Sequence, residues 1–179
     1  AKDIEMKTNT LKPITLAGLI SLGLAAQFAT APTLAAAEEL STSITALGAT
    51  SVRYNTVNID GQDIFYREAG NPDAPVVLLL HGFPTSSQQY RDLIPELSDE
   101  YHVIAPDYPG FGRSAMPDRA AFDYTFANYA DLMDGFTDTL GLESYSLYVM
   151  DYGAPVGYRL ALKEPEAIET LIIQNVHYV

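Results

Sequence analysis

The stretch LYVMDYGAPVG, residues 147–157, decides the fold of this chain. Its first half is an apolar, β-prone run, and the residues after Asp151 suit a helix, so the pattern predicts a strand that turns sharply into a helix. Gly153 and Ala154 are small enough to permit a strained turn that lifts the Asp151 side chain above the sheet. This arrangement is typical of a nucleophile elbow, with Asp151 as the catalytic candidate. The alternative is that Asp151 only caps the helix that follows.

Around this stretch, strand and helix patterns alternate along the chain. Asp60-Gly61 separates two β-prone runs and predicts an antiparallel hairpin. The alternation after it predicts an α/β fold whose mostly parallel sheet is flanked by helices through right-handed crossovers. The predicted strands cover residues 54–59, 64–68, 75–80, 101–106, 145–150 and 168–174, and the predicted helices cover Ser86 or Ser87 to about Leu97, a segment ending at Gly141, and 154–163.

Two further segments follow predicted strands. His81-Gly82-Phe83-Pro84 ends the third strand, and DYPGFGRS, residues 107–114, follows the fourth. Together with the elbow at Asp151, these segments resemble the α/β-hydrolase superfamily, in the branch with an aspartate nucleophile that includes epoxide hydrolases and haloalkane dehalogenases. The resemblance runs from about Tyr54 to Val176 and depends on three motifs in the same order.

The resemblance implies a mechanism as well as a fold. A carboxylate attacks an sp³ carbon without needing a base, so Asp151 would form an alkyl ester with an apolar epoxide or organohalide. Water activated by a His would then hydrolyse the ester. The backbone N–H groups of Phe83 and Tyr152 would form the oxyanion hole, with His81, Gly82 and Pro84 shaping its loop. No cofactor is implied.

The choice within this branch depends on two departures from the family pattern. Most members have Trp after the nucleophile, where dehalogenases use it to hold the halide, but this chain has Tyr152 and no Trp. Phe83 favours an epoxide hydrolase, because many dehalogenases carry a polar amide there. Met150 in turn departs from the His that many epoxide hydrolases have. We therefore expect an epoxide hydrolase-like enzyme, with a haloalkane dehalogenase-like enzyme as the alternative.

The family's cap domain follows the sixth strand, and its catalytic acid and base lie on later loops. The resemblance thus implies that residues 51–179 are a partial hydrolase core without the last strands, the cap, the acid and the base, and we expect this chain alone to be inactive. His102 lies at the wrong end of its strand. His177, beyond the last strand, is either the base or part of a frayed terminus. A non-catalytic hydrolase scaffold is a further alternative.

Residues 1–37 are typical of a secretory signal peptide. From Met6, a short basic segment precedes an apolar run over residues 14–29 and small residues up to Ala37. The residues before Met6 are interpreted as an overextended start, and residues 38–50 as a linker. The sequence therefore predicts an exported protein, periplasmic or secreted, with no membrane attachment after cleavage. A buried helix or an uncleaved anchor is the alternative.

The composition excludes several classes of function. Ten Lys and Arg against 23 Asp and Glu give a net charge of −13, which would repel nucleic acid. The absence of Cys excludes thiolate nucleophiles and Cys-ligated zinc. The carboxylates show no metal-ligand spacing, so no metal site is expected. Residues 110–115 fit G-x-G-x-x-A, but Pro109 and Pro117 flank them and no helix follows, which argues against a dinucleotide site.

Overall fold

The computed structural model describes residues 38–39 and 51–176. The predicted signal peptide, nearly all of the predicted linker and His177 lie outside the described residues. In the described part of the chain, no helix is both long enough and apolar enough to cross a membrane.

A single six-stranded sheet organises the described residues. Its strands are β1 (Arg53–Ile59), β2 (Gln62–Ala69), β3 (Val76–Leu80), β4 (His102–Pro106), β5 (Tyr145–Met150) and β6 (Ile168–Gln174), in the spatial order β1-β2-β4-β3-β5-β6. β2 runs antiparallel to β1 and β4, whereas the other neighbours are parallel. The predicted α/β class and the N-terminal hairpin are confirmed. Asp60 and Gly61 form its turn with φ of 48° and 82°, backbone angles that Gly adopts easily.

The central strand β3 is buried on both faces, as its continuous apolar run predicts. Leu78 and Leu80 join one core, which contains side chains of α2 (Phe126–Leu140) and α3 (Gly153–Lys163). Val77 and Leu79 point into a second core on the opposite face, because successive side chains of a strand alternate. The two layers of helix hold the sheet rigid beneath the loops at its carboxyl edge.

The predicted single helix after β3 is wrong. Instead of one helix reaching Leu97, the structure has a 3₁₀ turn at Ser87–Tyr90 and then a separate short helix, α1 (Leu93–Leu97). Pro95 is the physical reason, because proline has no N–H to donate to a carbonyl one turn earlier and fits only in the first turn of a helix. The segment therefore restarts at Leu93.

α2 ends at Gly141, as its sequence predicts, and it begins after Thr125. The Thr125 hydroxyl accepts a hydrogen bond from the Asn128 N–H at 3.2 Å at the beginning, and Gly141 closes the helix in the left-handed region with φ of 69°. At the other side of the sheet, β6 pairs with β5 alone among the described strands. Its Leu171, Ile172 and Ile173 are exposed.

Candidate active site

Asp151 occupies a sharp turn between β5 and α3. Its φ is 47°, in the left-handed region that non-glycine residues seldom adopt. Two glycines make the turn possible, because a Cβ on Gly153 would lie 2.3 Å from the Leu80 carbonyl oxygen and one on Gly157 would lie 2.4 Å from Val149 Cγ1. Gly157 is a residue whose role sequence analysis missed, and its spacing of four from Gly153 on the same helix face was the available signal.

One oxygen of the Asp151 carboxylate is held by the protein backbone. Oδ1 accepts hydrogen bonds from the N–H groups of Phe83 and Tyr152, each at 2.7 Å. Within the described residues, Oδ2 has no hydrogen-bond partner. The structure thus brings together the predicted nucleophile and both predicted oxyanion donors, and it leaves one carboxylate oxygen free for attack.

The helix-cap alternative for Asp151 fits the structure less well. A capping side chain accepts from the second or third N–H of its helix. Here the carboxylate accepts from the N–H of Tyr152, which itself occupies the cap position of α3 without a side-chain cap. Only the Asp151 main-chain carbonyl receives a helical hydrogen bond, from Ala154 at 3.1 Å, and Ala154 is fully buried against the sheet.

The loop at residues 81–84 passes directly under the carboxylate. A Cβ added to Gly82 would lie 2.6 Å from Asp151 Cβ, so only glycine allows this approach. His81 is fully buried, with its Nδ1 2.9 Å from the Gly82 oxygen and its Nε2 accepting from the Tyr108 N–H at 3.2 Å. Burial lowers the pKa of His81, so the ring is neutral with its proton on Nδ1. Both ring nitrogens are occupied, and His81 is not available as a base.

No other described His lies at Asp151. His102 begins β4 at the amino edge of the sheet, as its position in the sequence predicts, and its Nε2 donates to Glu68 Oε1 at 2.8 Å. His177 falls outside the described residues. In the part of the chain that the structure describes, the base of the predicted mechanism is therefore not found, and no group of residues could hold a metal ion.

A cavity of about 1360 Å³ opens beside the elbow, and its lining includes the aromatic residues Phe83, Phe126 and Tyr152. The Tyr152 ring lies between those of Phe83 and Phe126, at centroid distances of 5.3 and 5.0 Å. The cavity is also lined by four charged residues, which are Asp118, Arg119, Asp123 and Arg159. The three rings give the part of the cavity nearest the elbow an apolar surface, which suits an apolar substrate.

Asp107 joins the two loops that frame this site, a role that sequence analysis missed. Its buried carboxylate accepts the N–H of Ser87 at 2.6 Å and the N–H of Arg113 at 2.9 Å. Gly112 passes so close that a Cβ there would lie 1.9 Å from Asp107 Oδ2. An Asp directly after a fully buried strand was the available signal, because a buried carboxylate must find donors.

Comparison with known proteins agrees with this geometry. Residues 75–178 match the family model described as alpha/beta hydrolase fold. An uncharacterized hydrolase of Saccharomyces cerevisiae is 44% identical over 124 residues, which are 69% of this chain and 42% of the relative. A haloalkane dehalogenase of Bradyrhizobium diazoefficiens is 41% identical over 111 residues, which are 62% of this chain and 35% of the relative. The chain therefore spans roughly two fifths of the length of these relatives.

A solved structure shares the architecture. The haloalkane dehalogenase DbeA from Bradyrhizobium elkani superposes with a TM-score of 0.67 at 36% identity, covering 70% of this chain and 42% of DbeA. Residues 75–178, which match the family model, include strands β3 to β6, the elbow at Asp151 and the loop at residues 81–84. On this sequence match, sheet order and strained elbow, the chain belongs to the α/β-hydrolase fold family.

Proposed function

We propose that the protein containing this chain hydrolyses an apolar organic electrophile through an alkyl ester on Asp151. One observation carries the proposal: two backbone N–H groups hold Oδ1 while Oδ2 stays free. A carboxylate held in this way keeps a defined orientation and an oxygen with available lone pairs, which is what nucleophilic attack requires.

In the first step, Oδ2 attacks an sp³ carbon of the substrate. With an organohalide, the carbon–halogen bond breaks and the halide leaves with the bonding electron pair, so no proton moves. With an epoxide, the carbon–oxygen bond breaks, and the ring oxygen takes a proton from water to become a hydroxyl. Either route leaves an ester whose carbonyl oxygen is Oδ1 of Asp151.

In the second step, water attacks the carbonyl carbon of that ester. The bond from this carbon to Oδ2 then breaks, so that Oδ2 takes up a proton and leaves with the alkyl group as an alcohol, and the oxygen of the water restores the Asp151 carboxylate. During the attack, negative charge develops on Oδ1, which already lies 2.7 Å from both N–H donors. Removing one such donor typically slows acyl chemistry by about 10²- to 10³-fold. The attacking water must lose a proton to a base, and neither described His supplies it, because His81 and His102 are engaged elsewhere.

Organohalides are the substrate class supported by the relatives. Several curated relatives are haloalkane dehalogenases, at 38 to 41% identity. An epoxide is the second candidate, and the observation that favours it is Tyr152, since this chain has no Trp whose indole N–H could hold a departing halide. Both substrates suit the aromatic wall formed by Phe83, Phe126 and Tyr152.

Mass spectrometry of the protein expressed from its full coding sequence distinguishes the two. With 1-bromobutane, the Asp151 peptide should gain one butyl group in place of a proton, whereas 1,2-epoxyhexane should add its entire mass. Asp151→Ala should abolish the adduct, and Asp123→Ala, which removes a carboxylate that lines the cavity beside the elbow, should not. An unmodified Asp151 peptide with both reagents would contradict the proposal.

We further propose that the protein is exported. The predicted signal peptide at residues 1–37 supports this location, and the acidic net charge of −13 gives no affinity for nucleic acid. Expression with residues 1–37 present should give a shorter product outside the cytoplasm. A cytoplasmic product of unchanged mass would refute it.

A further inference from the structure

The peptide group between Gly82 and Phe83 connects the oxyanion donor to the side chains of His81 and Thr85. Its N–H is the Phe83 donor to Asp151 Oδ1, and its C=O accepts three hydrogen bonds. These come from His81 Nδ1 at 2.9 Å, from Thr85 Oγ1 at 2.8 Å and from the Thr85 N–H at 3.1 Å. Because a peptide group is planar, whatever fixes the C=O also aims the N–H on its opposite side.

We propose that Thr85, together with His81, is a positioning residue that aims and polarises the Phe83 N–H toward Asp151. Hydrogen bonds accepted by an amide oxygen draw electron density from the nitrogen and strengthen the N–H as a donor. The inference rests on the proposed function, because it concerns how that oxyanion hole is built.

The hydrogen-bond chain continues one residue further. Thr85 Oγ1 also lies 2.5 Å from Gln89 Oε1, and a hydroxyl has only one proton for its two acceptors. Rotating the Gln89 side-chain amide by 180° removes this conflict. Gln89 Nε2 then donates to Thr85 Oγ1, and the Thr85 hydroxyl donates to the Gly82 oxygen. Among the residues that the structure describes, Gln89 Nε2 has no hydrogen-bond partner in its present orientation.

The proposal predicts that ester formation and ester hydrolysis respond differently to a weaker Phe83 donor. During ester formation, the charge on Oδ1 decreases as the carboxylate becomes an ester, so a weaker Phe83 donor does not slow this step. During ester hydrolysis, the charge on Oδ1 increases again, and a weaker donor slows that step. A general disturbance of the fold would slow both.

The test compares Thr85→Val, which keeps the shape but removes the hydroxyl, with Thr85→Ser, which retains the hydroxyl. Thr85 is exposed, so neither change disturbs the core. In single-turnover experiments on the protein from the full coding sequence, Thr85→Val should form the ester at the wild-type rate. It should hydrolyse the ester roughly 3- to 10-fold more slowly, a fraction of the loss expected for a whole oxyanion donor. Thr85→Ser should recover the wild-type rate. Equal slowing of both steps, or unchanged hydrolysis, would overturn the proposal.

A second measurement does not depend on activity. The Phe83 amide proton resonance should move upfield in Thr85→Val, because the hydrogen bond to Asp151 weakens, and should stay in place in Thr85→Ser. An unmoved resonance in Thr85→Val overturns the positioning role even if the enzyme is active. A wild-type protein that forms no ester, yet shows the shift in Thr85→Val, contradicts the proposed function and leaves the role of Thr85 in aiming the N–H supported.

Discussion

Two carboxylates at opposite edges of the sheet are held in opposite ways. At the carboxyl edge, the Asp151 carboxylate receives hydrogen bonds from only two backbone N–H groups of the described residues, through a single oxygen. At the amino edge, Glu68 receives side chains on both oxygens: His102 and Arg53 contact Oε1 at 2.8 and 3.2 Å, and Asn55 donates to Oε2 at 2.7 Å. The first carboxylate keeps a free oxygen, and the second does not.

The difference teaches how a protein separates a reactive carboxylate from a structural one. Backbone N–H groups carry partial charge and fix one oxygen without neutralising the group. Side-chain cations neutralise it and engage its lone pairs. Burial alone would raise the pKa of Glu68, but hydrogen bonds from His102 and Arg53 outweigh burial and lower that pKa below its ordinary 4.5. Glu68 is thus committed to holding β1, β2 and β4 together.

The largest expected effect comes from disturbing the reactive carboxylate. Gly82→Ala places a Cβ 2.6 Å from Asp151 Cβ and 3.0 Å from Oδ1, so Asp151 must move away from its donors. We expect ester formation and turnover to fall by about 10²-fold or more. Adduct formation on Asp151, followed by mass spectrometry, measures this loss.

A matched control for that change is Gly135→Ala, within α2. Among the described residues, its Cβ would approach the Ile59 Cγ2 at 3.0 Å and no atom of Asp151. Alanine is also the better helix former there. Wild-type activity in Gly82→Ala, or an equal loss of activity in both glycine variants, would contradict the assignment of Asp151 as the reactive carboxylate and Glu68 as the structural one.

The next largest effect is on stability. Glu68→Gln removes the charge that His102 and Arg53 share and brings an NH₂ group toward donors. We expect the free energy of unfolding to fall by about 1 to 3 kcal/mol, the range for hydrogen bonds to charged groups. Ester formation on Asp151 should be unchanged. Urea denaturation measures the loss, with Asp99→Asn, an exposed carboxylate, as the control that should remain within about 0.5 kcal/mol. If Glu68→Gln kept its stability but formed the ester on Asp151 more slowly, the assignment of Glu68 as a structural carboxylate would be wrong.

The acid dependence of stability follows from the same carboxyl. Because the pKa of Glu68 is lower in the folded than in the unfolded chain, its contribution is complete above the ordinary 4.5. Below that value the unfolded state binds more protons, so the contribution decreases as the pH falls through the folded-state pKa. Between pH 6 and pH 3, the free energy of unfolding should therefore decline less steeply in Glu68→Gln than in the wild-type protein, because the variant lacks this titrating group. Parallel curves for both proteins would show that other groups dominate.

Sequence patterns predicted the features of the fold that depend on residues adjacent in the chain. The apolar run of β3, the Asp60-Gly61 turn, the Gly141 cap and the elbow at Asp151 each have a local signature, and the structure contains all four elements. The break before α1 was also local, since Pro95 was visible, but the apolar spacing around it favoured one continuous helix. Propensity and periodicity disagreed there, and proline prevailed.

What the sequence could not give are contacts between segments far apart in the chain. Thr85 supports the Gly82 carbonyl, and Glu68 meets His102 only because β2 pairs with β4 in a particular register. Each of these residues is an ordinary polar residue in the sequence. Register and loop approach are tertiary properties, so composition and spacing do not reveal them.

The smallest expected effect separates the partners of Glu68. Arg53 keeps 37% of its side chain exposed, whereas His102 keeps 9%. Solvent screens an exposed pair, so Arg53→Met should lower the free energy of unfolding by less than about 1 kcal/mol, and added salt should reduce the difference further. His102→Leu, which removes the donor of a more buried hydrogen bond, should cost more. Urea denaturation at low and high salt measures both variants. If Arg53→Met proved the more destabilising, the exposed cation rather than the buried imidazole would be the main partner of Glu68, and the amino-edge cluster would depend on surface charge.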